Sequence, residues 1–118
     1  MIIENLLRTE GEDLEGSMKR VYSYRLIKNQ MDIICDWNTV PLQSYGIEIE
    51  RQDILNDHLI DVCRDCVKNI SPNRYKVHNL LKLLYDSQVS PIHLVDVIGD
   101  YVDEYILDFD KQLKSMAY

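Results

Sequence analysis

The sequence has few of the features that mark secreted or membrane-spanning proteins. Three cysteines in 118 residues cannot all pair within one chain. No apolar run approaches the ~20 residues that cross a bilayer. The first ten residues lack the basic and long apolar regions of a signal peptide. With an ordinary hydrophobic fraction of 46%, we expect a cytoplasmic protein without membrane contact, folded as a single domain over residues 1–118.

Motifs that carry chemistry are also missing. The sequence has no G-x-S-x-G, no H-E-x-x-H and no Gly-rich phosphate loop. We therefore expect neither enzymatic activity nor a cofactor. What the chain does have is acidity in one place, since residues 91–110 hold six carboxylates and no Lys or Arg. These six account for all but one of the seven net negative charges.

The first half of the chain predicts an antiparallel sheet. β-formers and period-2 alternation predict strands at about residues 19–28, 31–37 and 44–54. Asn29-Gln30 would turn the chain between the first two, and a connection containing Pro41 would precede the third. We expect residues 1–18 to be flexible or weakly structured because 9–17 are polar with two glycines, although Ile2 to Leu7 could form a short strand or a helical turn.

Residues 52–70 fit two structures. An apolar stripe through Leu55, Leu59, Val62 and Cys66 indicates a helix. The alternative is a hairpin that turns at Asn56-Asp57 and returns as a strand at about 58–69. The periodicity by itself favours the helix.

The C-terminal half predicts two helices joined by a very short connection. Ser71-Pro72 and Ser90-Pro91 each place a capping serine before a proline at the first helical position. The predicted helices cover about 72–87 and 91–110. Their apolar faces are expected at Val77, Leu80, Leu81 and Leu84, and at Leu94, Ile98, Tyr101, Tyr105 and Ile106.

Two stretches resemble a known family. ISPNRYKVHNLLKLLYDSQVSPIHLVDVIGDYVDEYILDFD and SYGIEIERQDI are similar to small proteins of unknown function from anaerobic spore-forming Gram-positive bacteria, over about residues 19–110. The resemblance implies no catalytic or ligand residues. It implies a strand at 58–70, and so favours the hairpin. The expected fold is then α+β, with an antiparallel sheet of three or four strands packed on a C-terminal two-helix hairpin.

Two constellations suggest alternative functions. Cys63 and Cys66 form a C-x-x-C that could bind a metal with Cys35, His58, His78 or His93, but the ligand set is incomplete. On a strand these two cysteines would also point to opposite faces. Lys19-Arg20, Arg25 and Lys28 could serve a small nucleic-acid-binding regulator, although six carboxylates in the last helix would repel phosphates. We expect neither a bound metal nor a nucleic-acid partner.

The candidate site is the acidic helix. Asp96, Asp100 and Asp103 share one helical face with Glu104 beside them, and a solvated surface is the simplest explanation. Most of them lie beyond the first turn, so the helix dipole does not stabilise them; Arg74, Lys76 and Lys82 on the preceding helix are candidates to compensate. Six of the eight tyrosines, including Tyr101 and Tyr105, suit half-buried positions at a core edge or an interface. We expect a regulatory or protein-interaction module whose partner is another protein or a second copy of itself.

Overall fold

A computed structural model describes residues 1–12 and 18–116, without the side chains of Glu12 and Cys35. Four antiparallel strands follow one another in chain order. The strands are β1 Ile2–Glu12, β2 Met18–Cys35, β3 Asn38–Leu55 and β4 His58–Ser71. The helices are α1 Arg74–Asp86, α2 Leu94–Tyr105 and α3 Leu107–Met116, with a 3₁₀ turn Pro91–His93 before α2. The α+β class with a four-stranded antiparallel sheet is confirmed.

Two tight turns set the register of the sheet. Asp36–Trp37 joins β2 to β3, and Asn56–Asp57 joins β3 to β4. All four residues have φ between 50° and 68°, the left-handed geometry of two-residue hairpins that matches the twist of the flanking strands. The hairpin at Asn56-Asp57 is therefore confirmed, and β4 is a strand although its apolar spacing is helical.

Three expectations about the sheet were wrong. The strands expected at 19–28 and 31–37 are one strand, and Asn29-Gln30 pairs with Ser44 and Gln43 instead of turning. The expected connection at 38–43 belongs to β3; Pro41 is tolerated there because β3 has only β2 as a neighbour at that point. The N-terminal segment, expected to be flexible or weakly structured, forms β1 over residues 2–12 and pairs with β2 from Ile27 to Met18. Residues 13–17 lie outside the described part of the chain.

One face of the sheet carries the core. Tyr24 and Leu26 of β2 and Ile47 and Ile49 of β3 are fully buried. Against them pack the predicted apolar face of α1 and the two buried residues of α2: Val77, Leu80, Leu81, Leu84, Leu94 and Ile98. This burial supplies most of the stabilisation, because helices and sheet each bury one apolar face against the other.

Tyr24 is the polar anchor within this core. Its hydroxyl donates to the carbonyl of Val89 at 2.8 Å and accepts from Arg8 Nη2 at 3.2 Å. Burial raises the pKa of Tyr24, against the opposing hydrogen bond from Arg8. The hydroxyl thus ties the segment after α1 to the middle of the sheet.

The helices do not form the expected hairpin. α1 packs mainly on β2 and β3, whereas α2 packs mainly on β4. α1 begins later than predicted because Asn73 is its N-cap, with Oδ1 accepting from the Tyr75 amide at 3.0 Å. Ser71, the expected cap, is buried at the end of β4. Ser90 does precede Pro91, but its side chain makes no capping bond.

The second helix is also broken rather than continuous over 91–110. α2 ends at Tyr105, and α3 starts two residues later. Ile106 lies at this break and is 56% exposed, so its predicted place in the core is wrong. The bend instead lets α3 bury Phe109.

Candidate functional site

α2 is held on β4 by one face only. Leu94 and Ile98 are buried, while Tyr101 and Tyr105 are half-buried at the edge of the core. The two tyrosine rings lie 6.2 Å apart between centroids, tilted by 58°. Much of the surface of both rings is therefore in contact with the core. Only the exposed part of each ring remains available to a partner.

The opposite face of α2 carries the predicted acidic cluster. Asp96, Asp100, Asp103 and Glu104 are all exposed. No Lys or Arg nitrogen among residues 1–12 and 18–116 forms an ion pair with any of the four. Only Asp96 lies in the first turn, where the helix dipole favours a carboxylate. None of the four therefore has an ion-pair partner in the described residues, although Glu104 adds to the effect of Asp108 in raising the pKa of Lys76.

Beside the carboxylates runs an apolar stripe that the core does not cover. Ile92 is 66% exposed and Val95 54%, and the exposed Ile106 continues the stripe at helical spacing. Gly99 lies between them, with no atom within 4 Å of the position its Cβ would take. One side of α2 thus offers apolar side chains next to carboxylates that have no ion-pair partner among the described residues.

Lys76 was expected to compensate the charge of the acidic face of α2, but it pairs with Asp108 instead. Lys76 Nζ donates to both oxygens of Asp108, at 3.0 and 2.9 Å, and lies 5.1 Å from the centroid of the Tyr105 ring. Ser71 Oγ also donates to Asp108, at 2.9 Å. Burial acts to raise the pKa of Asp108, but the hydrogen bonds from Lys76 and Ser71 outweigh it and hold the pKa below its usual range. This cluster fastens α3 to α1 and β4.

Cys63 and Cys66 do not converge with the histidines, and the side chain of Cys35 lies outside the described part of the chain. Cys63 pairs with Arg51 and Cys66 with Glu48, so the two half-buried thiols point to opposite faces of the sheet. His78 Nδ1 lies 2.9 Å from Glu4 Oε2, which links α1 to β1. Within the described part of the chain, no group of three or more His, Cys, Asp or Glu side chains could hold a metal ion.

The basic segment of β2 is engaged inside the sheet. Arg25 donates to Glu48 at 2.6 Å and to Glu50 at 3.2 Å. Arg20 lies 3.5 Å from Asp53. Both arginines are therefore paired with carboxylates of β3, whereas Lys19 and Lys28 of the same cluster form no ion pair among the described residues.

Comparison with known protein families identifies the family of the chain. Residues 3–104 match the model described as "Family of unknown function (DUF6514)", which covers most of the chain. The chain belongs to DUF6514. Comparisons with curated proteins and with solved structures found no match. In this DUF6514 chain, no helix of the described residues is long and apolar enough to cross a membrane.

One exposed feature of the DUF6514 fold escaped the sequence analysis. Trp37 is the chain's only tryptophan and is fully exposed at the β2–β3 turn. The signal was present, because β-formers continue on both sides of it from Met31 to Leu42. With the turn expected at Asn29-Gln30, Trp37 was placed at the end of a strand instead of in a turn.

Proposed function

We propose that this DUF6514 chain is a non-enzymatic protein-interaction module of the cytoplasm, which binds a partner through the outer face of α2. The observation that supports the proposal is an exposed apolar stripe, formed by α2 and the residues just before and after it, next to carboxylates that form no ion pair with Lys or Arg in the described residues. Apolar contacts supply affinity at such a surface, and charge selects the partner and speeds the encounter.

The charge and apolar composition of this surface indicate which kind of partner would be complementary to it. Asp96, Asp100 and Asp103 extend over two helical turns, about 10 Å. The matching ligand is a segment, most simply an amphipathic helix, with Lys or Arg beside apolar residues. The absence of motifs for catalysis in the sequence agrees with a binding role rather than a reaction.

Affinity capture from the native cell tests the proposal. The wild type is compared with Asp96/Asp100/Asp103→Asn, which keeps size and shape but removes three charges. The expected result is loss of the principal partner, and salt should weaken wild-type capture because the charges are exposed. An unchanged set of captured proteins would remove α2 from the proposal.

A control variant matches the change in charge. Asp57, Asp61 and Asp65 are exposed on the β3–β4 turn and on β4. Replacing these three by Asn removes the same charge from another surface. Capture should survive this change; its loss in both variants would mean that net charge, rather than the face of α2, governs the interaction.

A further inference from the structure

The β2–β3 hairpin extends beyond the rest of the sheet. The pairing of β1 with β2 starts at Ile2 and Ile27, and β4 ends at Ser71 opposite Tyr45. Residues 29–43, here called the arm, therefore pair only between β2 and β3, with Asn29 opposite Ser44 at the base. Six steps along a strand make the arm about 20 Å long, and the molecule accordingly measures 63 × 22 × 20 Å. A ribbon of two strands is only marginally stable without further contacts.

The tip of the arm has the composition of an interface. Trp37 is 100% exposed and Ile34 80%. Tryptophan is strongly enriched among the residues that dominate binding energy at protein interfaces. Apolar residues also continue along one face of the arm, where Met31 pairs with Leu42 and Ile33 with Val40; Leu42 is already buried within the chain, and the other three are half-buried.

The base of the arm offers a complementary cavity. Its volume is about 450 Å³, and its lining includes Met1, Lys28, Pro41 and Leu42. This size lies at the small end of the range for ligand pockets, which suits one large side chain. The lining is mainly apolar and has a cation at its margin, whereas the tip carries Asp36 next to Trp37.

We propose that two copies of this chain associate through their arms, side by side and antiparallel, so that Trp37 of each copy fills the base cavity of the other. The distance from tip to base is the same in both copies, so one twofold axis through the middle of the arms makes both contacts together. This arrangement also places Asp36 of one copy near Lys28 of the other. A parallel arrangement would instead bring the two Asp36 carboxylates together.

The charges of the arm disfavour nucleic acid, which is the main alternative to a second copy of the chain. Residues 29–43 contain Asp32 and Asp36 and no Lys or Arg. A nucleic acid would meet a negative ribbon with no cation to contact its phosphates. Two buried indoles supply about 300–500 Å² of contact, so the arm faces must supply most of the ~1,200 Å² of a specific interface. We expect a reversible dimer in the micromolar range.

The oligomeric state of the full chain tests the proposal. Sedimentation or light scattering in reducing buffer should show dimers of the wild type that increase with concentration. Trp37→Ser should remain monomeric at the same concentrations with an unchanged circular dichroism spectrum, because Trp37 contributes nothing to the core. Ile92→Ser instead removes an exposed apolar residue from the 3₁₀ turn before α2 and should leave the dimer intact. A wild type that is monomeric throughout, or a dimer that survives Trp37→Ser, would overturn the proposal.

The register is tested separately. Asp36→Lys and Lys28→Asp should each weaken the dimer about tenfold, and the double variant should restore it. Because Trp37 is the only tryptophan, its emission should shift to shorter wavelength as dimers form. A failure of the double variant to rescue, or emission that stays solvent-like in the dimer, would overturn the antiparallel arrangement. Neither result bears on the α2 surface, which lies on a different part of the fold.

Discussion

Gly46→Ala is the substitution that most directly tests the structure. At this position a Cβ would lie 2.2 Å from the carbonyl oxygen of Val67 and 2.3 Å from that of Lys68. Both are backbone atoms of the bulged segment of β4, which faces Gly46 where the register shifts between Tyr45 and Ile47. Neither carbonyl can rotate away as a side chain would, so the strand itself must move.

The expected cost follows from that movement. Displacing β4 by close to an ångström would disturb Ile70, which is fully buried, and the hydrogen bond from Asn29 Nδ2 to the Lys68 carbonyl at 2.8 Å. Overpacking of this kind typically costs up to about 3 kcal/mol, or more when backbone is involved. A chain of this length has a free energy of unfolding of about 6–18 kcal/mol. We therefore expect the Tm to fall by about 10–15 °C.

Gly99→Ala provides the matched control. It is the same chemical change inside α2, where nothing lies within 4 Å of the added Cβ. Alanine is favoured over glycine in a helix by about 1 kcal/mol, so this variant should be more stable than the wild type. Urea unfolding followed by far-UV circular dichroism is the appropriate measurement, because Trp37 fluorescence reports the arm rather than the core. If Gly46→Ala unfolds within about 0.5 kcal/mol of the wild type, the close approach of β4 is wrong.

Three further predictions concern the core and its links to α3. Tyr24→Phe should lower the free energy of unfolding by about 1–3 kcal/mol because it leaves a buried carbonyl unpaired, whereas Tyr75→Phe on the surface should change it by less than about 0.5 kcal/mol; chemical denaturation compares them. Leu81→Ala should cost about 3 kcal/mol by leaving a cavity at a fully buried position, measured in the same way. For Asp108, the folded pKa lies below the unfolded value of 3.8, so its contribution is complete above that value and is lost as the pH falls through the folded pKa. Asp108→Asn should therefore flatten the acid limb of a stability–pH curve, and Asp110→Asn, on an exposed residue, should leave its shape unchanged.

The sequence predicted best those elements in which local pattern and tertiary packing agree. The apolar spacing from Val77 to Leu84 matches the face that α1 buries. The hairpin at Asn56-Asp57 was only one of two alternatives that the residues allowed, and the family resemblance decided in its favour. The apolar spacing of β4 nevertheless indicated a helix, because several of its exposed apolar side chains fall at helical intervals.

What could not be predicted depends on contacts between distant residues. The β-formers on both sides of Asp36-Trp37 were the only local sign of that turn, since a tryptophan at positive φ has no propensity in its favour. The pairing of Lys76 with Asp108 spans 32 residues and follows only from the bend between α2 and α3. The sequence placed the four carboxylates of the candidate site on an exposed surface, as the structure does. That no Lys or Arg of the described residues forms an ion pair with them could be seen only in the structure.

The free end of the β2–β3 ribbon has a consequence for how the protein tolerates changes in length. Between Gln30 and Gln43 no third strand pairs with the ribbon, so rungs can be removed there without disturbing the pairing of β1 or β4. Deleting two residues from each strand would shorten the ribbon and keep every remaining side chain on its present side. Deleting one from each would carry the tip to the reverse side, and deleting from one strand only would force a bulge. The reach of this projection can therefore be adjusted in discrete steps while the remainder of the molecule stays as it is.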